Sequence, residues 1–303
     1  MSRKLSFKTS MAFTYGMTSP IGPGVVRIVA NNPNAYTFTG TNTYLVGMTS
    51  LAVIDPGPDD GAHREAILAA AGDRPITHIF VTHAHRDHVD GAERLKAATG
   101  GRTCGFGRAA RPSGPIAPDP PRLEYVDGDF APDIRLADGD VADGKDWRLA
   151  AIHTPGHAPD HLCFALHGRN ILFSGDHVMA WNTTVIAPPE GRMADYIHSL
   201  ERLLGRRDTL FLPGHGGRLD EPLRTVRAYL LHRRWRENSV LGAIRDGTRT
   251  IQTIVPLVYP GIDDRLSKAA LLSVQAHVEH LIERGLVACE GPQTLDGPLS
   301  PVW

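Results

Sequence analysis

The feature that most constrains this chain is "IFVTHAHRDH", residues 79–88, where an apolar run ends in His83, His85, Asp87 and His88. A short apolar run of this kind reads as a buried strand, and ionisable groups placed directly after it sit at the strand's mouth. Residues two apart in extended backbone share a face, so His83 and His85 are expected to point the same way as the strand ends. Asp87 and His88 follow as the chain leaves it. Zinc-type sites take histidine nitrogens at about 2.0–2.1 Å and complete their shell with a carboxylate or water. One turn therefore offers four ligands, enough for a share in two metals if the rest of the chain supplies partners.

Partners are present. "HTPGH" brings His157, "LFSGD" brings Asp176 and "LFLPGH" brings His215, each where an apolar run meets a glycine- or proline-bearing turn. Strands whose ends all carry metal-seeking groups deliver them to one edge of a sheet, on loops held by a rigid core. His63, His78, His167, His198, His232, Cys104 and Cys163 lack that setting and are read as surface or core residues. His161 and His177 are candidates for orienting a ligand or protonating a leaving group. Asp55 in "IDPG" is read as a turn former or as support behind the ligands.

Between Val25 and Phe211, "TYLVG", "LAVIDPG", "THIFVTH", "LEYV", "WRLAAIHTPGH", "LCFAL", "NILFSGD" and "TLFLPGH" each fit a strand bounded by turn residues. Helical patterns ending at Gly72, Gly100 and Gly205 fall among them, which argues for a layered α/β architecture. "TYLVGMTSLAVIDPG" and "LCFALHGRNILFSGD" share one plan of strand, tight turn, strand and aspartate, a weak sign of two related halves. Gly105–Pro121 is too rich in glycine and proline for regular structure and reads as a surface loop.

The pattern changes after Gly217, dividing the chain into residues 1–217 and a tail of residues 218–303. A helix from Pro222 runs about 24 residues, long enough to bridge two lobes. A second helix is expected over Thr253–Tyr259, with Pro256 in its first turn. A third is expected over Asp264–Arg284, with Leu271, Val274, Val278 and Leu281 on one face and Gly285 ending it. "LVACE" then reads as a strand, so the tail resembles a winged helix.

The net charge of −1 gives no overall field toward nucleic acid or an anionic membrane. The three cysteines form no CxxC pair and suggest no disulfide framework. The N-terminal stretch lacks a secretory core, and no apolar run nears the roughly 20 residues of a membrane span. A soluble cytoplasmic protein is expected.

"THAHRDH", "TPGH", "SGDH" and "PGH", in that order, resemble the metallo-β-lactamase superfamily over about residues 25–217. The resemblance implies an α/β (α+β) fold, the αββα sandwich, carrying here a small C-terminal winged-helix-like domain. It implies one metal on His83, His85 and His157, a second on Asp87, His88 and His215, and Asp176 bridging both. Two zinc ions are expected, with Mn2+ or Fe2+ as alternatives. The implied activity is hydrolysis of an ester, thioester, lactone or phosphodiester by a hydroxide between the metals, with Asp87 as the catalytic residue that takes its proton. "ANNPNAYTFTGTNTYLVG", "IDPGP", "TPGHAPDH" and the tail are similar to the lactamase-β-2-like subgroup. That subgroup includes endoribonucleases of single-stranded RNA, so small molecules and single-stranded RNA are both candidate substrates.

Two other classes compete. A mononuclear iron persulfide dioxygenase of the same superfamily shares the histidine pattern. A nucleic-acid-binding protein would act through the tail, but from Arg218 onward there are 11 basic and 10 acidic residues. The third helix mixes Arg265 and Lys268 with Glu279 and Glu283, which argues against duplex DNA. "HRRWR", His232 to Arg236, reads as a solvated face or an interdomain contact. The tail is expected to cover the site's mouth, shape substrate entry or join a homodimer.

Overall fold

The computed structural model describes residues 7–109, 130–290 and 294–302. The strand expected at "LEYV" and most of the Gly105–Pro121 loop lie outside these residues. Seven strands form the first sheet, in sequence order: β1 (Ser19–Gly22), β2 (Val25–Val29), β3 (Asn42–Val46), β4 (Leu51–Ile54), β5 (Ile76–Phe80), β6 (Arg102–Gly105) and β7 (Ile134–Arg135). It is antiparallel from β1 to β4 and parallel from β4 to β7. The second sheet has the order β12 (Leu210–Pro213), β11 (Ile171–Gly175), β10 (Leu162–Leu166), β9 (Arg148–His153) and β8 (Val141–Asp143). Only its β11–β12 pair is parallel.

Strand alternation makes the layers. Along β10, Leu162, Phe164 and Leu166 join Tyr44, Ile54, Phe80, Trp147 and Phe173 in the core between the sheets. Cys163 and Ala165, on the opposite face, pack with Tyr196, Leu200 and Phe211. A strand covered on both faces must be apolar throughout, which is why "LCFAL" shows no polar alternation. Helices α1 (Gly61–Ala71) and α3 (Ala92–Thr99) cover the first sheet through Ile67 and Leu95, and α4 (Met193–Leu204) covers the second. The result is helix, sheet, sheet, helix. Truncating a side chain in the central layer, such as Phe164, would cost about 3–5 kcal/mol.

The short helix α2 (Arg86–Val89) follows the "THAHRDH" turn, and α5 (Pro222–Arg245) follows β12. Pro222 stands at the first position of α5, where its missing N–H breaks no bond. This helix serves two cores. Val226, Tyr229 and Leu230 pack into the outer core of the second sheet, while Val240, Leu241 and Ile244 pack into the tail with Ile254, Val274 and Leu281.

In the tail, α6 (Ile251–Val258) starts two residues before the expected Thr253, because Thr250 Oγ1 caps the Thr253 N–H. Pro256 therefore stands inside the helix rather than in its first turn. A 3-10 turn, Asp264–Leu266, opens the third helix, and α7 proper is Ser267–Glu283. It is not one-faced. Besides Val274, Val278 and Leu281 it buries Ala270, Leu272, Gln275 and His277, because α4, α5 and α6 all pack against it. The strands β13 (Val287–Cys289) and β14 (Leu299–Pro301) pair as an antiparallel wing.

The "HRRWR" run is no open cationic face. Arg233 is 2% exposed, Arg236 donates to Val258 O and stacks on Trp235 and Tyr259, and exposed Arg234 bonds Glu201. Among the described residues no helix is long and apolar enough to cross a membrane.

Candidate metal centre

All seven nominated residues converge at the C-terminal ends of β5, β9, β11 and β12. β5 stops at Phe80, so His83 and His85 are not strand residues as expected; they occupy the turn beyond it, and His85 caps α2. They still meet, with His83 Nε2 2.9 Å from His85 Nδ1. His157 Nε2 approaches that same His85 nitrogen at 3.1 Å. Asp87 and His88 lie on α2, whose first turn carries His88 inward. His88 Nε2 is 3.2 Å from His215 Nε2, and His215 Nε2 is 3.1 Å from Asp87 Oδ2. Asp176 stands between the two sets: its carboxylate is 3.5 Å from His88, 3.4 Å from His215 and 3.8 Å from His157.

Three overlapping groups could each hold a metal ion: His83, His85 and His157; His83, His88 and Asp176; Asp87, His88 and His215. The residues fit such a group. Asp176 Oδ1 is buried without a hydrogen bond, a costly state for a carboxylate oxygen unless a cation faces it.

Hydrogen bonds behind the ring nitrogens set the tautomers. Asp55 accepts from the Thr82 N–H (2.8 Å), the Thr82 hydroxyl (2.9 Å) and His88 Nδ1 (2.9 Å). Because the Thr82 hydroxyl donates to Asp55, it accepts from His83 Nδ1 at 3.0 Å. His157 Nδ1 donates to Val185 O at 2.7 Å, and His215 Nδ1 donates to Gly40 O at 3.2 Å. His83, His88, His157 and His215 are all left with Nε2 toward the centre. Asp55 thus supports two of the candidate ligands, His88 directly and His83 through Thr82.

The electrostatics split the cluster. Burial, reinforced by the neighbouring rings, pushes His83 well below the ordinary histidine value and takes His85 to about 3. Burial also lowers His157. Burial acts the same way on His88 and His215, but Asp87 and Asp176 beside both, with Asp55 beside His88, overcome it; His88 rises well above its ordinary value and His215 to about 9. Conversely, His88 and His215 hold Asp87 and Asp176 below the usual carboxylate range against the effect of burial.

Both ring nitrogens of His161 are engaged. Its Nε2 accepts the Asp176 backbone N–H at 3.2 Å and its Nδ1 donates to Thr154 Oγ1 at 2.9 Å, so no lone pair is free for a metal. His177 is buried against Tyr196, and neither ring nitrogen has a hydrogen-bond partner. His63, His78, His167, His198, His232, Cys104 and Cys163 belong to none of the three groups.

Two glycines permit this density. A Cβ on Gly214 would stand 2.6 Å from both Asp176 Oδ1 and His88 Cε1. Gly175, at φ +48°, would set a Cβ 2.6 Å from His161 Nε2.

A cleft opens in front of the cluster. Its lining includes His85, Asp87, His157, Asp176 and His215, with Tyr36, Met179, Trp181, Val185 and Leu266 around them. The motif "NNPNAYTFTG" builds one wall: Asn32 and Asn34 accept the Thr41, Tyr36 and Thr37 N–H groups, and Phe38 stacks on Trp181 at 5.0 Å. Sequence reasoning missed Thr82, Thr184 and the carbonyls of Gly40 and Val185. A backbone carbonyl has no signature in the sequence.

Comparison with known proteins agrees with this geometry. The profile of the metallo-beta-lactamase superfamily matches residues 36–215, and that of the beta-lactamase associated winged helix domain matches residues 250–293. A beta-lactamase-like protein 2 homolog of Drosophila melanogaster is 31% identical over 276 residues, covering 86% of this chain and 88% of that protein. A protein of Emericella nidulans named thioesterase pkgB is 31% identical over 221 residues, 71% of this chain and 57% of that one. Among solved structures, a beta-lactamase domain protein from Burkholderia ambifaria superposes with a TM-score of 0.78 at 20% identity, covering 100% of this chain and 98% of that one. A metallo-beta-lactamase family protein from Thermus thermophilus gives 0.75 at 23% identity, covering 93% and 100%. Sandwich, ligand turns and wing together place this chain in the metallo-beta-lactamase superfamily, in the form that carries a beta-lactamase-associated winged helix.

Proposed function

We propose that the protein is a two-metal hydrolase of carbonyl esters, thioesters or lactones that carry an apolar group. The observation behind this reading is the lining of the cleft. Tyr36, Met179, Trp181, Val185, Ala187 and Leu266 wall the space beside the ligands, and among the described residues no lysine or arginine lines it. RNA binding draws on cationic side chains that neutralise the phosphates flanking the scissile one, which the metals cannot reach. An acyl chain or aromatic ring needs apolar area and water exclusion, which this cleft offers. The relative named as a thioesterase fits the same chemistry.

His83, His85 and His157 would hold one cation and Asp87, His88 and His215 the second, with Asp176 shared. Two divalent cations supply Lewis acidity, lowering the pKa of water toward neutrality and polarising a carbonyl. The chain's own groups do the rest. Asp87 is 21% exposed at the cleft, where its carboxylate can align the attacking water and accept its proton. Trp181 and Tyr36 hold the acyl group beside it.

The test is a panel of acyl-thioesters, esters, lactones, short RNA and bis-p-nitrophenyl phosphate, given to the zinc- and manganese-loaded protein. Acyl substrates should turn over, and Asp87→Asn should lower kcat by about 10²–10⁴-fold with an unchanged fold by circular dichroism. Cleavage of RNA without acyl hydrolysis would overturn the substrate class. A single iron per chain in protein from the native host would point instead to the dioxygenase.

A further inference from the structure

The metal ligands' support continues beyond the sandwich into α5. Arg233 lies on this helix with almost no exposure, its guanidinium over the Tyr196 ring at 5.2 Å. Its Nη2 donates to Thr184 O. Thr184 Oγ1 in turn donates to Asp176 O at 2.7 Å and His177 O at 3.1 Å, and the next residue, Val185, supplies the carbonyl that fixes His157. One turn earlier on the same face of α5, the Tyr229 hydroxyl bonds Met179 O, at 2.7 Å, and Asn182 O. Tyr196 holds His177 O at 2.8 Å. Three carbonyls of the segment 177–185, those of Met179, Asn182 and Thr184, are thereby held from α5.

We infer that Arg233 is a positioning residue for the metal group formed by His83, His85 and His157, acting through Thr184 and Val185. A methionine or leucine would fill the space between α4 and α5 without removing a cation from water, so packing alone does not account for a buried guanidinium. What an apolar residue cannot do is hold the Thr184 carbonyl. If the 184–185 peptide shifts, His157 Nδ1 loses its acceptor and its Nε2 loses its aim. The second group, Asp87, His88 and His215, has its own orienting acceptors, Asp55 and Gly40, and meets this chain of contacts only at Asp176, whose backbone carbonyl Thr184 holds. Arg233 should therefore influence one metal far more than the other.

The inference rests on the two-metal reading above, and a stepwise zinc titration of the full-length protein against a competing chelator separates the two. Wild-type protein that binds fewer than two zinc ions defeats the two-metal reading itself. Given two ions, Arg233→Met should weaken one by roughly tenfold, near the lower end for residues behind metal ligands, and leave the other within about twofold. Arg233→Lys, which keeps a donor, should recover part of the loss, and Arg234→Met, on the exposed side of α5, should leave both ions at wild-type affinity. Unchanged affinities in both Arg233 variants, or equal weakening of both ions, would overturn the inference. Should Arg233→Met fail to fold, Arg233→Lys alone decides: a loss confined to one ion supports it, and no loss or a uniform loss overturns it.

Discussion

The hairpin β3–β4 with α1 and β5, and the hairpin β10–β11 with α4 and β12, are one device used twice. In each, an antiparallel pair is followed by a helix over the outer face and a strand that returns parallel to the hairpin's second strand. Each hairpin ends on a left-handed residue, Asp55 at φ 52° in the first and Gly175 at φ 48° in the second. The first half places its aspartate there, behind His83 and His88. The second half puts glycine there and its aspartate one residue later, where the carboxylate reaches the ligands themselves. The consequences diverge. The first half delivers four candidate ligands from one turn under one supporting carboxylate. In the second sheet His157, Asp176 and His215 come from three separate strand ends, and their supports are scattered over Val185, Gly40, His161 and α5.

The largest expected effect that tests this difference is at Asp176, because both ligand groups lean on it. Asp176→Ala should remove metal from both and lower turnover by more than about 10²-fold, above the span usual for supporting residues. It removes a carboxylate that a candidate metal group contains, so metal content by elemental analysis should fall with activity. Asp55→Asn should be milder. An asparagine can still accept the Thr82 N–H but gives up the charge beside His88, and a loss of about 10–100-fold in affinity is expected, concentrated on the ion held by Asp87, His88 and His215. If Asp55→Asn costs more than Asp176→Ala, the two aspartates do not divide the work as described.

Much of this was legible in the sequence, for a physical reason. The candidate ligands stand in the turns that follow β5, β9, β11 and β12, largely buried apolar runs, so their place at a sheet edge can be read without knowing the fold. The repeat of "TYLVGMTSLAVIDPG" in "LCFALHGRNILFSGD" is likewise a real repeat of strand pairing. What escaped were contacts that sequence does not encode locally. The turn after β5 brings His83 and His85 together by curling, not by strand alternation. β7 and β8 are too short and too exposed to show a pattern, as Ile134–Arg135 and Val141–Asp143 illustrate. Arg233 looked like one charge among several, because only the fold shows that its side of α5 is the inner one.

The smallest expected effect concerns how tightly the tail grips the second half. Arg192, at the start of α4, pairs with Glu283 of α7, and Glu279 sits one turn earlier on α7, accepting from Gln275 at 2.9 Å. Burial, with Glu283 adding to it, raises the Glu279 carboxyl to about 7 from an unfolded value near 4.5. Between those values the folded chain binds the proton more tightly than the unfolded chain. The resulting stability is fully present below pH 4.5 and is lost as pH rises through 7. Allowing for partial exposure, the change is on the order of 1–2 kcal/mol. Glu279→Gln keeps an acceptor for Gln275 and cannot ionise, so it should flatten this fall in denaturant unfolding measured from about pH 5 to 8. Hydrogen exchange would locate the effect: amides of α4 and α5 should open more readily in wild type as pH rises, after correction for the intrinsic exchange rate, while those of α1 and β5 should not. Equal opening in both halves would mean that the tail braces the whole sandwich rather than the half whose ligands are dispersed.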